Sequence, residues 1–150
     1  MIKLAQSLFP DYNWLPWKFA RTDSNFWKQR ENVVSWLEWI RKELKLDTSL
    51  EDVYRITHRD VIEKGSRSLL TEYGNIYEIA KLVYPAHPWK PWRFKHALTG
   101  WWDSMQNQRQ FFNDFRQAYG YTQFEDLYKL SIDEIRAAGG TYPIAMYCLL

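Results

Sequence analysis

Between residues 29 and 45 the apolar side chains Val33, Trp36, Leu37, Ile40 and Leu44 recur at intervals of three and four. That spacing gathers them on one face of a helix and leaves the polar residues on the other. It returns at Phe111, Phe112, Phe115 and Tyr119, which predicts a second helix with a matching buried stripe. Shorter elements follow. Ser49 opens a short helix through Tyr54, with Asp52 as the partner of a capping box. Thr57 with Asp60, and Ser131 with Glu134, form two further boxes. Each starts a helix of about two turns that stops at Gly65 or Gly139, where a left-handed cap suits glycine. Residues 68–73 form another short helix ended by Gly74, and Asn75 caps the next, which runs to Pro85. No stretch alternates as a half-buried strand does. The expected fold class is all-α.

The pattern is also written twice. Leu8-Phe9-Pro10, then Trp14-Leu15-Pro16-Trp17-Lys18-Phe19, returns about 75 residues later as Val83-Tyr84-Pro85, then Trp89-Lys90-Pro91-Trp92-Arg93-Phe94. Residues 1–5 align with 76–80, Phe26-Trp27 with Trp101-Trp102, Glu31-Asn32 with Gln106-Asn107, and Trp36-Leu37 with Phe111-Phe112. Beyond Asp47 the register slips by one residue. Residues 51–57 then match 125–131, Gly65 matches Gly139 and Tyr73 matches Tyr147. A one-residue deletion between matching blocks belongs in a loop, which predicts turns near 47–50 and 122–124. The expected organisation is two tandem copies of a short-helix unit, 1–75 and 76–150, with helix-turn-helix-like pairs and Pro-Trp loops. The chain starts and stops inside this pattern, as a piece of a longer array or with half-repeat caps at its ends.

Pro16 and Pro91 exclude helix from the residue before them and fix an extended turn. Trp14, Trp17 and Phe19, and in the second copy Trp89, Trp92 and Phe94, therefore cannot form a helical stripe. They are expected to fold back as an aromatic clasp over neighbouring helices, a core role. The sharper alternative is a base-stacking platform, with Lys18, Arg21, Arg93 and Lys95 gripping phosphates.

The order Tyr/Phe-Pro, Trp-x-x-Trp-x-Phe, Asp-x-Tyr (Asp52 to Tyr54, Asp126 to Tyr128) and Leu-Leu-x-x-Tyr (Leu69 to Tyr73) resembles a tandem repeat. That repeat occurs in arrays in uncharacterised eukaryotic and organelle-associated proteins, and the likeness covers essentially the whole chain, twice. Residues 65–85, with the Gly65 turn, the Leu69-Leu70 helix, the Tyr73-Gly74-Asn75 turn and a helix ending at Tyr84, also look similar to homing-endonuclease-associated repeats. Those are small helical modules attached to nucleases, and the likeness implies contact with DNA. The second copy departs from it: Tyr142-Pro143-Ile144 stands where the first has Ser68-Leu69-Leu70. On the helix-turn-helix reading, the helix after Asn75 offers Asn75, Tyr77, Glu78 and Lys81 to bases, while Arg67 approaches a phosphate.

Composition narrows the partners. An aromatic share of 18% is ample to offset the entropy of ordering. A formal net charge of +2 offers no strong global attraction to nucleic acid. Locally, Lys18, Arg21, Lys28 and Arg30 meet only Asp23, and Lys90, Arg93, Lys95 and His96 cluster without a nearby acid. The candidate nucleic-acid contacts are thus Lys18, Arg21, Arg67, Lys81, Lys90, Arg93 and Lys95. The lone Cys148 excludes an internal disulfide and a cysteine zinc site, and suits a reducing intracellular compartment such as a nucleus or organelle. No apolar run has membrane-spanning length, so membrane insertion is not expected and a soluble chain is.

Catalytic inventory is lacking. His58, His87 and His96 have no metal-ligand spacing, and no glycine loop or Gly-flanked serine is present. Carboxylate pairs such as Glu51-Asp52 and Asp133-Glu134 sit at helix starts, where the macrodipole favours them. No enzyme activity, metal, cofactor or small-molecule substrate is implied. Two functions remain: a nucleic-acid-binding repeat protein acting on DNA or RNA through basic aromatic loops, or a protein-interaction subunit of a larger, ribonucleoprotein-like assembly.

Overall fold

The computed structural model describes residues 2–19, 22–95 and 100–140. Arg21, His96, Tyr142-Pro143-Ile144, Tyr147 and Cys148 lie outside the described residues. The chain is helical throughout these residues, with no strand among them. It divides into two compact units, Met1–Trp89 and Lys90–Leu150.

The first unit is built on α2 (Arg30–Glu43), whose Val33, Trp36, Leu37 and Ile40 are all buried. It also contains α1 (Ile2–Leu8), α3 (His58–Glu63), α4 (Arg67–Tyr73) and α5 (Ile76–Val83). Short 3-10 helices at Pro16–Lys18, Phe26–Lys28 and Leu50–Arg55 join them. Ser49 with Asp52 and Thr57 with Asp60 form the expected capping boxes, and the Asn75 side chain accepts from the Glu78 amide. α5 packs on α2 and α4, burying Ile76, Ile79, Ala80 and Val83. The Arg30 guanidinium donates to the carbonyls of Leu82 and Val83 at its C-terminal end. By contrast, α1 buries none of its residues.

One expectation about the α2 stripe is corrected. Leu44 is only half-buried and Leu46 takes its place in the core. The helix ends in a Schellman turn: Lys45, at φ +56°, donates to Lys42, and Leu46 donates back to the Arg41 carbonyl at 2.7 Å. The left-handed residue swings the chain so that position 46, not 44, points inward.

The second unit is organised by α6 (Met105–Tyr119) and α7 (Ile132–Ala137), with 3-10 helices at Pro91–Arg93, Trp101–Asp103 and Phe124–Lys129. Trp92, Trp101, Trp102, Phe111 and Phe115 form its core, with Phe112, Tyr121, Leu130, Ile135 and Ala138 packed against them. Tyr119, expected in the α6 stripe, is exposed at the last turn. Here Gly120, at φ +71°, makes the left-handed turn, and Tyr121 donates to Arg116 at 2.8 Å. Ser131 with Glu134 caps α7, and Gly139 at φ +98° closes it.

Candidate interaction surfaces

The six clasp aromatics do not act as one device. A proline-led 3-10 turn is three residues long, so the tryptophan inside it faces the core while the one before it lies in extended chain. Trp17 is buried against Trp27 and Trp39, with ring centroids 6.4 and 5.4 Å away. Trp92 is buried against Trp101 at 5.2 Å and Phe111 at 5.6 Å. Phe94 is buried too. Their faces are taken by protein rings, so a base-stacking platform on Trp17 or Trp92 is excluded. Trp14 and Trp89 are held differently: each indole donates to a carbonyl five residues back, Phe9 at 3.0 Å and Tyr84 at 3.1 Å. Trp89 is further covered by Tyr54 at 5.2 Å and His87 at 4.1 Å. Trp14, half-buried, meets Tyr12 at 4.6 Å and Phe19, also half-buried, at 5.9 Å.

The basic candidates scatter over both units. Lys18 is exposed, its ammonium 5.2 Å from the Trp39 ring centroid. Arg67 is exposed at the first position of α4, and Lys81 lies over its neighbour Tyr77 at 5.8 Å. Of the residues named on the helix after Asn75, the Asn75 carboxamide oxygen accepts from the Glu78 amide as the α5 cap, and Lys81 is exposed on the side of α5 away from α2 that Ile79 and Val83 leave free.

Three candidates do come close in the second unit. Lys90, Trp92 and Arg93 line a cavity of about 340 Å³ with Phe111, Asp114, Phe115 and Tyr119. Lys90 pairs with Asp114 at 3.1 Å, while Arg93 and Lys95 are exposed. The sequence correspondence pairs Asp114 with Trp39, whose indole packs on Trp17 in the first unit. A carboxylate there leaves room that a tryptophan would fill. Next to Lys18 the Glu43 carboxyl is held below its ordinary value, chiefly by a hydrogen bond from Lys64 at 2.9 Å.

Sequence reasoning missed the exposed apolar surfaces. In the second unit Phe124, Tyr128, Met105 and Ile132 stand in solvent; in the first, Leu4, Leu8, Phe9 and Tyr12 do. Their residue types gave no signal, because the matched positions Tyr54, Ile79 and Val83 are buried. What differs is the covering, not the side chain.

Among the described residues no cluster of three or more His, Cys, Asp or Glu could hold a metal ion, and no helix is long and apolar enough to cross a membrane. No protein-family model, curated protein or solved structure matches the chain.

Proposed function

We propose that this protein is a non-enzymatic tandem helical repeat that works as an interaction subunit, presenting aromatic and aliphatic surface to protein partners. The observation that carries this reading is the exposure of large apolar residues in both units: Leu4, Leu8, Phe9 and Tyr12 in one, and Met105, Phe124, Tyr128 and Ile132 in the other. Exposed aromatic and aliphatic side chains are what protein interfaces use, and what a polyelectrolyte ligand does not need.

The repeat itself is supported by local geometry. The Pro-led turns Pro16–Lys18 and Pro91–Arg93, the turns Phe26–Lys28 and Trp101–Asp103, and the long helices from Arg30 and Met105 start 75 positions apart. The helices from Leu50 and Phe124, and from His58 and Ile132, start 74 apart, as the one-residue slip requires. Asn32 donates to the Phe26 carbonyl at 2.8 Å, and Asn107 to Trp101 at 2.7 Å. Phe9 with Trp14 and Tyr84 with Trp89 share a centroid distance of 6.4 Å.

The test places a photo-reactive phenylalanine analogue at Phe9, Tyr128 or Arg93 and recovers adducts from native cell extract. Protein adducts at the first two positions that persist at high salt are the expected result. Nucleic-acid adducts concentrated at Arg93 and lost as salt rises would overturn it.

A second reading, binding of single-stranded DNA or RNA, is favoured by the cavity beside Lys90, Trp92 and Arg93, which has room for one base. Retention on a mixed DNA and RNA column that falls steeply with salt, and disappears in Arg93→Glu with Lys95→Glu, would establish it. No retention by the parent chain would remove it.

A further inference from the structure

The molecule carries its own pattern for what covers those apolar residues. In the first unit the segment 76–89 lies against α2 and the helix Leu50–Arg55. Ile79 and Val83 are buried there, the Tyr84 hydroxyl takes a hydrogen bond from Arg41 at 3.1 Å, and His87 reaches Glu51 at 3.3 Å. Trp89 stands edge-on to Tyr54, which is 6% exposed.

Both halves of that arrangement recur uncovered. Leu4, Leu8 and Phe9 correspond to Ile79, Val83 and Tyr84, yet Leu4 is 58% and Leu8 61% exposed. Tyr12 and Trp14 correspond to His87 and Trp89, and Trp14 keeps the same indole bond. On the other unit, Tyr128 corresponds to Tyr54 and is 93% exposed. Arg116 corresponds to Arg41. Its guanidinium donates to Thr122 at 2.9 Å and lies over Phe124, while its Nε is buried with no hydrogen-bond partner among the described residues.

We infer that the segment 2–14 of one copy docks on the α6 and Phe124–Lys129 face of a second copy, repeating between molecules the seat that 76–89 occupies within one. The inference rests on the repeat and interaction-subunit reading above and names the partner as a second copy of this chain. Trp14 meets Tyr128 edge-on, Arg116 covers the Phe9 ring, and the Tyr12 hydroxyl donates to Glu125 where His87 meets Glu51. The exchange of Tyr84 for Phe9 removes one hydrogen-bond acceptor and leaves the cation–π contact. Donor and acceptor are different surfaces, so a copy whose segment is seated on a partner still offers its own acceptor face, to that partner reciprocally or to a further copy.

Sedimentation of the purified chain tests this, carried to about 300 µM because a free segment must offset rigid-body entropy that the covalent link spares 76–89. The parent is expected to associate into dimers or larger species with concentration. Tyr128→Lys and Phe9→Asp alter side chains in solvent, and each alone is expected to be monomeric with an unchanged far-ultraviolet dichroism spectrum. Mixed together they retain one intact donor and one intact acceptor, so the mixture forms a complex of two chains and stops there. A monomeric parent, variants that associate like the parent, or a mixture that stays monomeric would each overturn the proposal. A monomeric parent whose position 128 still crosslinks to other proteins in extract would reject docking between copies and leave the interaction-subunit reading standing.

Discussion

Gly139 passes so close beneath the Pro91–Arg93 turn that a Cβ on it would stand 2.8 Å from the Trp92 carbonyl oxygen. Gly65 lies under Trp17 in the same way, its Cβ position 3.5 Å from that carbonyl. Both glycines have positive φ, +98° and +85°, a region that costs an L side chain about 1–2 kcal/mol. Only Gly139 adds a backbone clash. Gly139→Ala is therefore expected to destabilise by about 2–3 kcal/mol and Gly65→Ala by about 1 kcal/mol, read from urea unfolding midpoints. Equal losses would show that the helix caps, and not the contact with the Pro-Trp turn, demand glycine.

The Trp36 indole donates to the Ser66 hydroxyl at 2.7 Å, and both residues are fully buried. Ser66→Ala leaves a buried N–H without its acceptor, at a cost of about 1–3 kcal/mol. Ser68→Ala removes the acceptor of the Trp27 indole, but at an exposed serine where water substitutes. Its expected loss is below about 1 kcal/mol, and thermal unfolding of the two variants measures the difference.

Capping chemistry made much of this fold legible. Ser49, Thr57, Asn75 and Ser131 each carry an oxygen that accepts from an amide of the following turn, so the residue type announces the helix start. The stop at Lys45 was not legible, because a lysine at φ +56° does what Gly120 does 75 residues later. The fate of the tryptophans was only partly so. Pro16 and Pro91 fix a turn, but which ring enters the core depends on helices far along the chain, such as Trp17 on Trp39. The apolar faces were wholly hidden. Tyr54 and Tyr128 are the same residue in the same local motif, yet the first is buried with Trp89 against it and the second stands in solvent.

Acid sensitivity follows from the same caps. Asp52 is held below its ordinary value, chiefly by the Thr48 hydroxyl at 2.6 Å. Asp126 is held low by a hydrogen bond from Lys129, and Glu134 by the Ser131 amide. A carboxyl whose folded pKa is depressed adds stability that is present above its unfolded value and is lost as pH falls through the folded one. Stability is thus expected to be flat from neutral pH down to about 5 and to fall below about 4. Asp52→Asn and Glu134→Gln should each be less stable at pH 7 and have a shallower acid limb, measured by dichroism melts across pH. An acid limb as steep as the parent's in both variants would place the responsible groups elsewhere.

The seat of α5 makes a separate demand on Arg30. Its Nε donates to Leu82 at 3.2 Å and its terminal nitrogen to Val83 at 3.0 Å, which satisfies carbonyls that the helix leaves unpaired at its C-terminal end. Met105 occupies the corresponding place in the second unit and cannot donate. Arg30→Met removes both bonds without opening the core, since Ile79 and Val83 still pack on α2. The expected loss is about 1 kcal/mol and local, because the guanidinium is partly in solvent. Amide exchange at Val83 and Tyr84 should quicken by roughly five- to tenfold, while Val33 and Ile40 in α2 keep their protection. Loss of protection along α2 as well would mean that α5 and the core open together, and that the arginine holds the whole unit rather than one helix end.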